Sequence, residues 1–141
     1  MQISEPRATL TIDAIQAMLN AATARARELS AKLHIVIVDH AGNLAGFISF
    51  PGTPRIAETT ARRKALTAVH MGQTTEAWEN YLKSIPASEL KIIDTMPDYI
   101  AAIGGYPIIE NGLVLGAIGV SGVSQEVDGD VAEAALRALH G

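Results

Sequence analysis

Asn111-Gly112 separates two apolar runs, Tyr106–Glu110 and Leu113–Ser121. An Asn-Gly pair in that setting predicts a tight antiparallel hairpin, because a type I′ turn needs positive φ at both central residues. The second run carries Gly116, Gly119 and Gly122 at every third position. A dinucleotide fingerprint would need its glycines between a strand and a helix, and a P-loop would need a Lys-Ser or Lys-Thr after them. Neither condition is met. Gly112 therefore makes the turn, and Gly116 and Gly119 let another surface approach the strand closely. That surface is a helix, a ligand or a neighbouring subunit, with close packing favoured.

A second hairpin precedes this one. Leu33–Val38 is rich in β-branched residues, Leu44–Phe50 follows as a weaker strand, and Gly42 sits in the DHAGN loop between them. The rest of the chain reads as helix. Ile12, Ile15, Leu19, Ala22, Ala26 and Leu29 recur at helical spacing after a potential N-cap, Thr11. Arg55–Met71 carries a small face of Ala57, Ala61, Ala65 and Ala68, with Gly72 as C-cap. A short helix starts at Thr74 or Thr75, another spans Ser88–Met96 ahead of Pro97, and Val127–Leu139 closes the chain, with Gln125 or Asp128 as its cap. Two hairpins separated by helices predict an α+β fold: a mainly antiparallel sheet of four to five strands flanked by helices, one domain over residues 1–141.

Composition narrows the function. A net charge of −4 argues against nucleic acid or an acidic membrane as partner. Cysteine is absent, which excludes disulfides, thiolate metal sites and a cysteine nucleophile. No apolar stretch reaches the ~18 residues of a membrane span, and the acidic, proline-containing start does not read as a signal peptide. The expectation is a soluble, cytoplasmic protein.

Four places in the chain resemble the GlcG/HbpS family, which includes the C-terminal domain of PduO-type proteins. They are Val36-x-Val38-Asp39-x-x-Gly42-x-Leu44, Lys64-Ala65-x-Thr67-Ala68, Gly104-Gly105-x-Pro107-Ile108, and the glycine strand Gly116–Gly122 followed by Glu126 and Asp128. Together they cover nearly the whole chain in order. The segment Ser49-Phe50-Pro51-Gly52 stands where the family often has Arg-Met-Asp-Gly, and Ile103 replaces the first of three glycines. The resemblance implies helices on an antiparallel sheet, a homo-oligomer, and haem binding in some members.

Of the four histidines, His34 and His70 are the candidates for haem iron. His34 shares a strand face with Val36 and Val38. His70 ends the central helix, where the helix dipole alone accounts for it. Lys64, Arg55 or Arg63 would meet the carboxylates of a ligand, although Lys64 in Arg62-Arg63-Lys64 also reads as a solvated helix face or as a partner for Glu126 or Asp128. Met96, Tyr99, Tyr106 and Ser121 are candidates to line a cleft. Glu126 and Asp128 are candidates for acid–base catalysis. Three functions follow. The first is a binding protein for haem or a related tetrapyrrole, with its pocket near a subunit interface. The second is a small lyase, isomerase or hydrolase acting on an organic or aromatic acid. The third is a structural or regulatory subunit without a ligand.

Overall fold

The computed structural model describes residues 1–140. Nine elements follow in the order α1 (Ile12–Glu28), β1 (His34–Asp39), β2 (Leu44–Ser49), α2 (Ile56–Met71), α3 (Thr75–Leu82), α4 (Ala87–Ile93), β3 (Gly105–Glu110), β4 (Leu113–Ser121) and α5 (Gln125–Arg137). The four strands form one antiparallel sheet in the order β2-β1-β4-β3. Each outer pair is a hairpin. Asn111 and Gly112 have φ of 52° and 76°, as the type I′ turn demands, and Gly42 turns the first hairpin with φ 85°. The two hairpins are stitched together by β1 and β4, with His34 opposite Ser121 and Asp39 opposite Gly116.

Helices cover both faces. On one face α1 and α5 pack over Leu33, Ile35, Ile37, Ile118 and Val120. On the other, the alanine stripe of α2 packs over Val36, Val38 and Ala117. Both inner strands are therefore buried on both sides, and each large aliphatic there stabilises the fold by about 1.5–3 kcal/mol relative to exposure. Thr11 caps α1 by accepting from the Ala14 amide (3.1 Å), and Gly72 ends α2 in the left-handed region at φ 67°. The α1 stripe is shifted from the expected one: Ile12 is 73% exposed, and Met18 is fully buried in its place. The fourth helix ends at Ile93, before Met96, and the last begins at Gln125 instead of Val127. No helix among the described residues is long and apolar enough to cross a membrane.

The tightest contact in the molecule is between α2 and the sheet. Gly105 and Gly119 face each other across β3 and β4. A Cβ on Gly119 would collide with the Ala61 carbonyl and stand 2.6 Å from the Ala65 nitrogen; one on Gly105 would collide with the Lys64 carbonyl. The backbone of α2 thus rests directly on the backbone of the sheet.

Candidate functional site

Lys64 lies on the α2 stripe, between Ala61 and Ala68, and so turns toward the sheet. The paired glycines bring α2 low enough for the side chain to be buried over its whole length, leaving 2% exposed. Gly104 wraps around its head. A Cβ there would stand 2.9 Å from Lys64 Nζ. Lys64 Nζ donates to the Val120 carbonyl (2.8 Å) and to Asp128 Oδ2 (3.2 Å). The solvated-face reading of Lys64 is corrected: it is the internal partner of Asp128. Burial lowers the Lys64 pKa, and the charge and hydrogen bond of Asp128 offset only part of that effect.

Asp128 is placed by the start of α5. Ser124 is the N-cap, its hydroxyl accepting from the Val127 amide (3.2 Å), so capping belongs neither to Gln125 nor to Asp128. Asp128 sits one turn inside and is buried. Its Oδ1 accepts from the Val123 amide (3.2 Å), while Oδ2 meets Lys64. Gln125 Oε1 accepts from the Ile103 amide (3.0 Å) and ties the Gly104-Gly105 loop to the same turn.

An open cleft of about 370 Å³ lies above this pair. Lys64, Ser121 and Asp128 are its buried polar residues; Pro54, Ile56 and the buried Ala57 stand on one side, and Val123, Ser124 and Gln125 on the other. Ile56 and Val123 are 77% and 55% exposed, two aliphatic side chains left in water at the rim. Ser121 is 93% buried by area (7% exposed), and its hydroxyl has no hydrogen-bond partner among the described residues. Ile56 and Val123 were not singled out from sequence; a lone aliphatic residue beside polar cap and turn positions was the available signal.

The remaining candidates are spread over three other places. His34 is buried next to the cleft. It is the cross-strand neighbour of Ser121, its Nε2 is 3.1 Å from the carbonyl of Pro54, and its Nδ1 is buried without a partner. Arg55 is almost fully exposed between the lining residues Pro54 and Ile56, 4.0 Å from Glu58. Glu126 is exposed on the first turn of α5. His70 lies at the far end of α2, edge-on to Tyr99, with its Nδ1 3.3 Å from the Tyr99 hydroxyl. The length of α2 separates it from the His34 end, about 20 Å at 1.5 Å per residue. Arg63, Met96 and Tyr99 line a separate groove of about 230 Å³ under α3 and α4. Tyr106 is on the opposite face of the sheet, donating to Glu133 Oε1 (2.9 Å). The structure brings Lys64, Ser121 and Asp128 together, with His34 and Arg55 adjacent. It does not bring His70, Arg63, Met96, Tyr99 or Tyr106 to them. Among the described residues no three His, Asp or Glu side chains converge as a metal site.

The sheet order and the helix seated on paired glycines define a recurrent α+β domain, and the comparisons identify it. The model of the family described as haem degrading protein HbpS-like matches residues 10–137, and the chain belongs to that family. The chain is 32% identical over 138 residues to the corrinoid adenosyltransferase PduO of Citrobacter freundii, covering 96% of this chain but only 41% of that protein. It is equally similar, over 96% of both chains, to a 15.0 kDa protein encoded between dhaT and dhaS in the same organism. The crystal structure of Klebsiella pneumoniae ORFY superposes with a TM-score of 0.89 at 27% identity, over 100% of this chain and 97% of that one. The PduOC:heme complex superposes at 0.85 and 27% identity, over 92% and 94%. Streptomyces reticuli HbpS, as a double mutant, superposes at 0.86 and 25%, over 96% and 90%.

Proposed function

We propose that this chain binds a flat, largely apolar small molecule carrying carboxylates, of the haem type, in the cleft over Lys64 and Asp128. The observation that carries the reading is the pair of exposed aliphatic residues, Ile56 and Val123, bordering one cleft with a buried polar floor. Such walls suit an apolar ring face, and the fit extends to the polar groups. Arg55 at the rim, almost fully exposed and held only by a long 4.0 Å pair with Glu58, can turn to meet a carboxylate. His34 Nδ1, an orphaned imidazole nitrogen beside Ser121, is the donor chemistry that haem iron takes. Bound there, such a group would supply a redox-active iron; the chain itself supplies walls, charge and the exclusion of water. The haem complex of the PduOC relative supports this reading. Because Ile56 and Val123 remain mostly in solvent, a second copy of the chain completes the pocket, in a homo-oligomer.

The test is a haem titration of purified protein followed at the Soret band. A saturable shift with Kd of about 1 µM, near −8 kcal/mol, is expected. Ile56→Asp should weaken binding without unfolding the chain, and His34→Ala should change the band position. A non-saturating response of the unmodified protein would overturn the proposal. One observation favours a second reading, acid–base catalysis on a small organic acid. The Lys64 amine has a lowered pKa and lies 3.2 Å from a carboxylate in the same cleft. Turnover that survives both Lys64→Met and Asp128→Asn would remove it.

A further inference from the structure

The floor of the cleft has an electrical balance that constrains what can be bound there. An ammonium has three N–H donors. Two of those on Lys64 are engaged, one by the Val120 carbonyl and one by Asp128. The positive charge is already matched by a carboxylate at 3.2 Å, in a pair whose side chains are 2% and 5% exposed. Asp128 in turn has one bond on each oxygen, from Val123 and Lys64, and each oxygen retains accepting capacity. Ser121, a residue only 7% exposed, adds a hydroxyl that lines the same cleft and has no hydrogen-bond partner among the described residues.

A ligand carboxylate arriving at this floor would be the second anion on one buried cation. It would gain one N–H bond and face Asp128 across a poorly solvated gap, which is the arrangement of like charges that burial penalises most. A neutral group with an oxygen acceptor, with or without a donor hydrogen, meets no such opposition. It can accept from Lys64 or Ser121 and donate to Asp128.

We infer that the floor of this cleft recognises a neutral hydroxyl, carbonyl or amide group of its ligand through Lys64, Ser121 and Asp128, and discriminates there against carboxylate. The inference rests on the proposal that the cleft is a ligand site. It also assigns the carboxylates of any such ligand to the rim, at Arg55, and not to Lys64.

The experiment uses the full chain with ¹⁵N-labelled lysine and backbone, and two probes of nearly equal size, propionamide and propionate, at neutral pH. Propionamide should shift the Lys64 Nζ and Ser121 amide signals saturably at about millimolar concentration, some −4 kcal/mol. Propionate should do so roughly tenfold more weakly or not at all. Ser121→Ala, which leaves the ion pair and its folding role intact, should weaken propionamide about fivefold, the value of one ordinary hydrogen bond. Propionate binding as tightly as propionamide, propionamide leaving both signals unmoved, or an unchanged affinity in Ser121→Ala would each overturn the inference. The haem titration is independent of these probes. A saturable Soret shift without amide selectivity sinks only this inference, and amide selectivity with a flat Soret response sinks only the haem reading.

Discussion

Replacing Gly119 by alanine adds a single methyl group against main-chain atoms of α2, where no side chain can move to receive it. The new Cβ would overlap the Ala61 carbonyl, stand 2.6 Å from the Ala65 nitrogen and 3.1 Å from its Cβ. The first two obstacles are main-chain atoms in the middle of a 16-residue helix, so relief requires α2 to lift from the sheet as a body. Overpacking of this kind costs typically 1–3 kcal/mol. Lifting α2 also draws Lys64 away from Val120 and Asp128, which loosens hydrogen bonds to a charged group worth about 1.5–3 kcal/mol each when lost outright. A total near 3 kcal/mol is expected, or about 10 °C in Tm for a chain of this size. The assay is urea unfolding of the variant beside wild type and Gly112→Ala. The last has open space around its Cβ but a φ of 76°, and should lose only about 1–2 kcal/mol. Ala65→Gly should not rescue Gly119→Ala, because it removes the Ala65 Cβ and leaves the backbone obstacles. A Gly119→Ala variant within about 0.5 kcal/mol of wild type, or no less stable than Gly112→Ala, would refute the reasoning.

Four further outcomes are expected. Lys64→Met should cost about 3–5 kcal/mol by leaving Asp128 buried without its cation. The double variant Lys64→Met/Asp128→Leu should cost clearly less than the sum of the two single changes in a denaturation cycle. Burial, and then the hydrogen bond to Glu133, raise the Tyr106 pKa above its ordinary value. The folded state therefore keeps that proton longer than the unfolded one, and the Tyr106 contribution is complete below about pH 10 and is lost as pH rises beyond it; urea midpoints from pH 8 to 11 should fall less steeply in Tyr106→Phe than in wild type. Ser124→Ala should cost about 1 kcal/mol through the lost cap on α5, and should raise amide exchange at Val127, which donates to that hydroxyl.

Most of the fold was legible because its signals are local. Asn111-Gly112 and Gly42 announce their turns, Thr11 and Gly72 announce helix ends, and the alanine spacing of α2 announces a buried stripe. Ile12 and Met18 exchanged roles because the angle at which α1 meets the sheet is a tertiary property that periodicity leaves free. The site was only half legible. That Lys64 borders the small face follows from its spacing. Its complete burial follows from Gly104, Gly105 and Gly119, which lie 40 to 55 residues away and make room that no local pattern records. Asp128 read as a cap because an acidic residue suits a helix start, and the helix in fact starts earlier, at Gln125 behind the Ser124 cap. His34 and His70 stood as alternative iron candidates in the sequence, and the length of α2 between them leaves His34 alone beside the cleft.

The seam between β1 and β4 also sets when the cleft comes into being. Each hairpin closes over a few residues and can form early, whereas His34 meets Ser121 only after the whole intervening chain has been looped out, and contacts of such separation are the slow ones. Lys64 belongs to the segment between the hairpins, Val120 lies in the second hairpin, and Asp128 follows it. The pocket floor therefore cannot exist in any partial fold that has formed either hairpin alone. A ligand that binds there captures only molecules in which the two hairpins have joined and α5 has docked, and its binding free energy stabilises that joined state.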